Sequence, residues 1–292
     1  MGEWCVAIDI GGTKLAAGLV DRTGAVAGEH RVATTDTDDP EVLWGALVEL
    51  VNGVLADAHE SPAVCGVGCG GPMSPGGEEV SPLNIPAWRG FPLRRRLGEL
   101  TGLPTFVDND AKALALAEGW TGAARGCRDY LAMVVSTGVG GGIVLGGSLL
   151  EGRLGNAGHV GHVVVEPDGR PCACGGRGCL EAEASGTAIA AMTGRPPAEA
   201  LPSVVERCGT LVGRAVASVV NLLDLRLAVV AGSVALGYGS PFFEAANAEL
   251  GARARIEYAR GAGIEPAGLG DEGPLVGAGA VGWRGIDRGD AR

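Results

Sequence analysis

Short apolar runs alternate with longer segments of helical spacing along the chain, and this alternation predicts a mixed α/β fold. The runs at 4–10 and 63–69 have the length of buried strands, and a glycine pair follows each of them. Residues 40–58 instead place apolar side chains at intervals of three or four, which predicts an amphipathic helix. The apolar stripe of this helix consists of Val42, Leu43, Leu47, Leu50, Val51 and Leu55.

The remaining chain follows the same pattern. Further strands are predicted at 15–20, 25–32, 105–110, 130–136, 142–145 and 225–231. Further helices are predicted at 93–101, 111–120, 182–192, 202–223, 242–253 and 274–286. Residues 72–92 contain five prolines, so they are predicted to form a loop in which Trp88 plugs onto the core.

Composition narrows the class of protein. With 292 residues, 46% of them apolar, the chain can form two domains of ordinary size. No apolar run reaches the roughly 18 residues of a membrane span, and the N-terminal segment MGEWCVAIDIGG lacks the basic region of a secretory signal. We therefore expect a cytoplasmic protein without a membrane partner. The net charge of −11 argues against nucleic acid as a partner, but a nucleotide needs only a local cradle of backbone N–H groups.

The first candidate for chemistry is the segment DIGGTK at 9–14, between the predicted strands at 4–10 and 15–20. This segment is predicted to form a hairpin turn without side-chain bulk. Such a turn exposes consecutive N–H groups, which suit phosphate oxygens. Asp9 could hold Mg²⁺ through water, and Thr13 offers a hydroxyl. The spacing differs from that of a P-loop.

A second glycine turn, TGVGG at 137–141, lies between the predicted strands at 130–136 and 142–145. One such turn in each half of the chain suggests a duplicated fold that clamps a polyphosphate between its halves. The predicted strand at 225–231 ends at Gly232, which is a candidate edge of a nucleoside pocket.

Three polar residues, Asp108, Asn109 and Asp110, end a predicted strand immediately before a helix. Ligands of α/β proteins bind at the carboxyl ends of strands, so these residues are candidates for a site. The alternative is that Asp108 or Asp110 only caps the helix, although capping needs one residue and not three. Asn84, in the proline-rich loop, offers the donor and the acceptor that a sugar hydroxyl requires.

The densest cluster of metal-binding residue types is the run H-x9-C-x-C-x4-C, formed by His162, Cys172, Cys174 and Cys179. Three thiolates and one imidazole suit tetrahedral Zn²⁺, and four protein ligands make such a zinc structural. Two alternatives stay open, a disulfide between Cys172 and Cys174 and a replacement of His162 by His159 as the ligand. The flanking residues that could reach a bound ligand are His159, Glu181 and Glu183.

Together these segments resemble the ROK (repressor, open reading frame, kinase) family. The matching motifs are DIGGTK at 9–14, NDA at 109–111, STGVGGG at 136–142 and GCLEAEASG at 178–186. The resemblance implies the two-domain α/β fold of actin-like, ribonuclease-H-like ATPases. It implies a small domain over 1–108, completed by a C-terminal helix at about 278–292, and a larger domain over 109–277. It also implies an ATP-dependent sugar 6-kinase that uses Mg²⁺ with ATP and forms a homodimer.

The resemblance also assigns roles to residues. Asp110 corresponds to the catalytic base, which takes the proton of the sugar 6-hydroxyl. The residues that correspond to sugar ligands are Asn109, Asp110, Glu181 and His162. Two further candidates for contacts with the sugar are Asn84 and His159. The phosphate and nucleotide contacts are expected from Asp9, Gly11, Gly12, Thr13, Lys14, Thr137, Gly138 and Gly232.

One departure from the family pattern concerns the substrate. The family usually has E-x-G-H before the zinc histidine, whereas this chain has His159-Val160-Gly161-His162. A carboxylate only accepts hydrogen bonds, whereas a neutral imidazole both donates and accepts. An amino sugar, such as kanosamine or N-acetylmannosamine, therefore joins glucose as a candidate, unless His159 only fills the space of the glutamate. The rival functions are a sugar-responsive regulator and a non-catalytic sugar-binding protein. Because the first strand is predicted to begin by about residue 4, we expect no DNA-binding domain ahead of it, which disfavours the regulator.

Overall fold

A computed structural model describes residues 3–289 of the chain. The chain forms two compact units. The first unit contains the chain up to Thr121, Glu151–Ala157 and the chain from Leu269 onward, and the second contains Gly122–Leu150 and Gly158–Gly268. The first helix after residue 108 and the segment 151–157, which the sequence analysis places in the larger domain, contact the first unit. Residues 290–292 of the predicted C-terminal region lie outside the described residues.

The first unit is built on a five-stranded sheet in the order β3-β2-β1-β4-β5. Its strands are β1 (Trp4–Ile10), β2 (Lys14–Asp21), β3 (Val26–Ala33), β4 (Val64–Cys69) and β5 (Thr105–Asn109). Strands β1, β2 and β3 are antiparallel neighbours, whereas β4 and β5 run parallel to β1. The predicted hairpin between β1 and β2 is confirmed, and the carboxyl ends of β1, β4 and β5 meet at one edge of the sheet.

Four long helices complete the first unit, namely α1 (Pro40–Asp57), α2 (Leu93–Thr101), α3 (Asp110–Trp120) and α9 (Gly273–Asp287). Helix α1 begins at an Asp39 cap and buries most of its predicted stripe, although Val42 is 48% exposed and Val54 takes a buried place instead. Helix α9 packs against β1, β4 and α3 with small residues at its buried face, among them Ala278. Helix α9, the last helix predicted from the sequence, therefore packs into the core of the first unit.

The proline-rich loop is anchored to the first unit by aromatic packing. Trp88 is fully buried, stacks on Phe91 with ring centroids 4.3 Å apart, and donates its indole N–H to the Pro40 carbonyl. The guanidinium of Arg96 lies over the Trp44 ring and pairs with Glu41. The interpretation of Trp88 as a plug is confirmed.

The second unit is built on another five-stranded sheet, in the order β10-β9-β6-β7-β8. Its strands are β6 (Tyr130–Val135), β7 (Val139–Leu145), β8 (Ser148–Leu149), β9 (Leu227–Ala231) and β10 (Gly263–Pro266). Strand β7 begins three residues earlier than the predicted 142, because Gly140 and Gly141 pair with β6. The second glycine turn is therefore shorter than predicted.

The helices of the second unit are α4 (Leu180–Ala184), α5 (Gly186–Thr193), α6 (Pro202–Leu223), α7 (Ser233–Tyr238) and α8 (Ser240–Arg253). The single helix predicted at 182–192 is wrong, because Ser185 interrupts it and its hydroxyl caps α5 by accepting from the Ala188 N–H. Helix α7 and strand β10 were not predicted. Over residues 3–289, none of the helices combines the length and apolar character needed to cross a membrane.

Candidate active site and metal centre

The first glycine turn is a tight, internally braced hairpin at the end of β1. The Gly11 N–H donates to the Lys14 carbonyl at 3.0 Å, and the Thr34 hydroxyl donates to the Gly11 carbonyl at 2.7 Å. Gly12 and Thr13 lie exposed at the tip. A fixed backbone with exposed N–H groups is the arrangement that binds phosphate oxygens.

Asn84 packs directly on this turn. A β-carbon built on Gly12 would lie 2.7 Å from the Asn84 β-carbon, so only glycine allows this approach. The structure thus brings together a predicted phosphate-binding residue and a predicted sugar-binding residue that are 72 positions apart in the sequence.

Asp9, the residue before the end of β1, carries a nearly buried carboxylate and is 8% exposed. Burial, followed by the negative charge of Asp110, raises the pKa of Asp9 from 3.8 to about 7, against the opposing effect of Lys14 and Arg31. Its neighbour in the sheet is Gly68, where an added β-carbon would lie 3.7 Å from both an Asp9 oxygen and the Asp110 α-carbon. Two adjacent carboxylates next to a candidate phosphate-binding turn fit a site for Mg²⁺ carried in with a nucleotide.

The polar residues at the β5–α3 junction differ in exposure and in their hydrogen bonds. The Asn109 side-chain oxygen accepts from the Ala111 and Lys112 N–H groups, so Asn109 caps α3 and its amide nitrogen can still donate to a ligand. Asp110 is the first helical residue and is exposed, and one carboxylate oxygen accepts from the Ala111 N–H at 2.8 Å. The alternative that Asp108 or Asp110 serves as the helix cap is therefore wrong, because the N-cap of α3 is Asn109.

Sequence analysis missed Lys112, which is 2% exposed and makes the junction rigid. Its ammonium contacts an Asp108 oxygen at 2.8 Å, a Glu151 oxygen at 2.5 Å and the Gly155 carbonyl at 2.9 Å. Arg284 of α9 adds a second cation at 2.6 Å from Glu151. Burial raises the pKa of Asp108, and the charge of Lys112 opposes that rise. The first turn of α3 is thereby tied to the segment 151–157. The only sequence signal was a lysine among the apolar positions of α3.

In the second unit, the four predicted zinc ligands converge. One ligand atom from each of His162, Cys172, Cys174 and Cys179 lies within 4.8 Å of the others. The sulfurs of Cys174 and Cys179 are 3.7 Å apart, and two sulfurs bound at about 2.3 Å in a tetrahedron would be about 3.8 Å apart. The Cys172 sulfur lies 3.8 Å from Nδ1 of His162. These residues fit a tetrahedral zinc ion.

In the absence of a cation, the Cys179 thiol holds its proton more strongly than usual. Burial, followed by the neighbouring thiols of Cys174 and Cys172, raises the pKa of Cys179 to about 12. Zinc binding would therefore displace protons that the cluster otherwise keeps. His159, the alternative ligand, is exposed, and its ring centroid lies 6.1 Å from that of His162.

Gly178 and Glu183 fix the backbone of the loop 162–179, which carries the four candidate zinc ligands. Gly178 has a φ of +68°, and a β-carbon there would overlap the Glu166 carbonyl oxygen at 1.6 Å, so glycine is required immediately before Cys179. Glu183 is buried and accepts from the Arg170 N–H and from the Arg207 guanidinium, each at 2.6 Å. Glu183 therefore holds the loop, and the expectation that it could reach a bound ligand is wrong.

The second glycine turn contacts Glu181. The turn consists of 136–138, closed by a hydrogen bond from the Ser136 N–H to the Gly138 carbonyl, and Thr137 is exposed at its tip. One oxygen of the Glu181 carboxylate accepts from the Val139 N–H at 2.9 Å. A candidate sugar ligand thus lies against a candidate phosphate-binding turn.

A pocket of about 510 Å³ opens beside this turn within the second unit. Its lining includes Ser136 and Thr137 of the turn, together with Thr187, Pro197 and Tyr238. Gly232 caps α7, whose first residue Ser233 also faces the pocket. Sequence analysis found only the edge at Gly232, because the other walls come from α5, α7 and the turn at 196–198.

Two α/β units, each with a glycine-turn hairpin in its sheet, define an actin-like, ribonuclease-H-like ATPase fold. A family model described as the ROK family matches residues 5–282, and the chain belongs to the ROK family. An N-acetylmannosamine kinase of Escherichia fergusonii is 38% identical over 250 residues, which cover 80% of this chain and 84% of that protein. A glucokinase of Halalkalibacterium halodurans is 32% identical over 312 residues, covering 95% and 94%.

Solved structures agree with this assignment. A ROK family glucokinase from Streptomyces griseus, in complex with glucose and AMPPNP, superposes with a TM-score of 0.84 at 30% identity, covering 97% of this chain and all of that one. A ROK family transcriptional regulator gives a TM-score of 0.81 at 23% identity, and that likeness shows the fold alone. The two relatives named above at 38% and 32% identity are an N-acetylmannosamine kinase and a glucokinase, and both are sugar kinases.

Proposed function

We propose that the protein is an ATP-dependent kinase that phosphorylates the 6-hydroxyl of a hexose, with Asp110 as the general base. The observation that carries the proposal is the exposed Asp110 carboxylate at the start of α3, next to Asp9, in a chain of the ROK family. The same family includes regulators with this fold, so the fold alone does not assign catalysis and the side chains at the junction support it.

In the proposed reaction, Asp110 takes the proton of the 6-hydroxyl while that oxygen attacks the γ-phosphorus. The bond between the γ-phosphorus and the bridging oxygen breaks, and ADP leaves. Phosphoryl transfer asks the protein mainly for positioning and charge neutralisation. Backbone N–H groups would position the phosphates, those of Gly11, Gly12 and Thr13 in one turn and those of Thr137 and Gly138 in the other. The Lys14 charge would help to neutralise the phosphates. Mg²⁺ bound with ATP would neutralise phosphate charge, and Asp9 is the residue that would hold it through water.

The sugar would be held by side chains whose polarity the structure constrains. The Asn109 carbonyl oxygen serves the helix cap, so its amide nitrogen is the group that donates to a sugar oxygen. Nδ1 of His162 faces the cysteine sulfurs, and a metal on Nδ1 leaves the proton on Nε2 as a donor. Asn84 and Glu181 complete the proposed set of sugar ligands.

We propose an amino sugar, kanosamine or N-acetylmannosamine, as the preferred substrate, with glucose as the next candidate. His159 stands where the family pattern has glutamate, and it is exposed next to the zinc ligand His162. Relatives named N-acetylmannosamine kinase are 38% identical to this chain, against 32% for a glucokinase. The proposal extends to a structural Zn²⁺ and to a homodimer, the latter from family resemblance and testable by light scattering.

The experiment is ADP release from ATP and Mg²⁺ against a panel of glucose, mannose, N-acetylmannosamine, N-acetylglucosamine and kanosamine. At least one sugar should stimulate release, and NMR of the product should place the phosphate on carbon 6. Sugar binding without sugar-stimulated release would instead indicate a regulator or a non-catalytic binding protein.

The role of Asp110 is tested by Asp110→Asn, which should lower kcat by about 10²–10⁴-fold while sugar binding persists. Asp39→Asn is the matched control, because Asp39 is also an exposed aspartate at a helix start and asparagine caps equally well. An Asp110→Asn enzyme with the turnover of the control would remove Asp110 from the mechanism.

A further inference from the structure

The pocket beside the second glycine turn contains no side chain that identifies a nucleobase. Among the described residues that line it there is no acid, amide, histidine, lysine or arginine. These are the side chains whose fixed donors and acceptors distinguish one base edge from another. Any recognition of the base therefore falls to hydroxyl groups and to the backbone.

Three polar groups of the pocket are already paired within the protein. The Tyr238 hydroxyl donates to the Pro197 carbonyl at 2.9 Å, and the Thr187 hydroxyl donates to the Thr137 carbonyl at 3.0 Å. The Ser136 carbonyl accepts from the Gly186 N–H at 2.7 Å. A ligand of the wrong polarity leaves these groups satisfied, so they give no penalty against it.

The remaining hydroxyls adapt to either polarity. The oxygens of Ser136 and Ser233 are 3.0 Å apart, and either one can donate to the other. A hydroxyl rotates and can both donate and accept. Adenine presents an amine donor at the position where guanine presents a carbonyl acceptor, and a rotating hydroxyl satisfies both.

We propose that this pocket holds the nucleoside of the phosphoryl donor by shape, with little discrimination between purines, so that GTP serves as a donor alongside ATP. The inference rests on the proposed kinase function. A site built on fixed hydrogen-bonding groups rejects a mismatched ligand by about 10⁴–10⁵-fold, because buried polar groups are left unpaired. Without such groups, the ratio of kcat/KM for ATP to that for GTP is expected to be at most about 10²-fold, which is the discrimination that a pocket reaches by shape alone.

The first test measures initial rates with ATP, GTP and ITP at a saturating concentration of the best sugar. GTP and ITP should both support turnover within about 10²-fold of ATP. A larger preference for ATP would overturn the inference while leaving the kinase function intact. The absence of turnover with every donor would contradict the proposed function instead.

The second test asks whether the nucleoside occupies this pocket. A β-carbon on Gly237 of α7 meets nothing within 4 Å, so Gly237→Phe places a ring in the space beside the pocket lining without a backbone clash. Gly251→Phe is the matched control, since Gly251 also lies on a helix with open space and lines a separate pocket of about 270 Å³. Gly237→Phe should raise KM for ATP and GTP by the same factor of at least about 10, whereas Gly251→Phe should change neither. An unchanged KM, or unequal changes for the two donors, would overturn the inference.

Discussion

Replacing Asp9 by asparagine is expected to stabilise the folded protein while impairing catalysis. Asp9 is nearly buried and lies beside the charge of Asp110, and its pKa rises from 3.8 to about 7. A shift of roughly three units, at about 1.4 kcal/mol per unit, corresponds to about 4 kcal/mol of lost stability at alkaline pH. Asparagine has the same shape and no charge, so the Asp9→Asn protein avoids this loss.

The direction of the stability change follows from the pH at which Asp9 ionises in the folded and in the unfolded chain. Below about pH 4, Asp9 is protonated in both the folded and the unfolded chain, so its ionisation does not affect stability. Between pH 4 and 7 the unfolded chain releases the proton while the folded chain keeps it, so wild-type stability falls as the pH rises. Above pH 7 both states are ionised and the loss is constant. The advantage of Asp9→Asn should therefore grow from about 2 kcal/mol at pH 5 to about 4 kcal/mol at pH 8.

Thermal unfolding from pH 5 to pH 8 measures this effect, with Asp38→Asn, an exposed aspartate of the same unit, as the control. Asp9→Asn should raise the midpoint by several degrees at pH 8 and by less at pH 5, and the control should show no such trend. A variant that is less stable than wild type at pH 8, or whose gain does not depend on pH, would refute the electrostatic argument. The same variant should lose most of its Mg²⁺-dependent turnover, since a destabilising charge kept beside a phosphate turn is typical of a functional site.

Three further predictions follow from the other clusters. Removal of zinc by a chelator should lower the unfolding midpoint and release about one metal ion per chain by elemental analysis; a metal-free protein of unchanged stability would contradict the metal centre. Lys112→Met should destabilise the protein by about 3–5 kcal/mol in urea titrations, because the Asp108 and Glu151 carboxylates lose their cation, and adding Glu151→Gln should recover part of that loss. His159→Glu should change the ratio of kcat/KM between glucose and N-acetylmannosamine by about tenfold or more, and an unchanged ratio would show that this position does not contact the sugar.

Local sequence was sufficient for most elements and for the metal ligands. The limits of α2 and α6 agree with the prediction, because the spacing of apolar residues and the flanking prolines and glycines fix them locally. The four candidate zinc ligands were predicted from residue type and spacing, and the structure brings them together. The split between α4 and α5 was missed, because Ser185 acts as a cap only once the chain around it has turned.

The electrostatics and the pocket were decided by tertiary structure. Lys112 is buried because Glu151 and Gly155, about 40 positions later, supply its acceptors, and periodicity carries no information about such partners. Asp9 acquires its raised pKa from burial in the sheet and from Asp110, a neighbour across β4. The pocket collects its walls from segments spread over about a hundred residues. The sequence by itself therefore determined which chemical groups this protein has and the local turns that hold them. Only long-range packing decided which groups are paired and which carry a perturbed charge, because desolvation and hydrogen bonding depend on neighbours that the chain brings together when it folds.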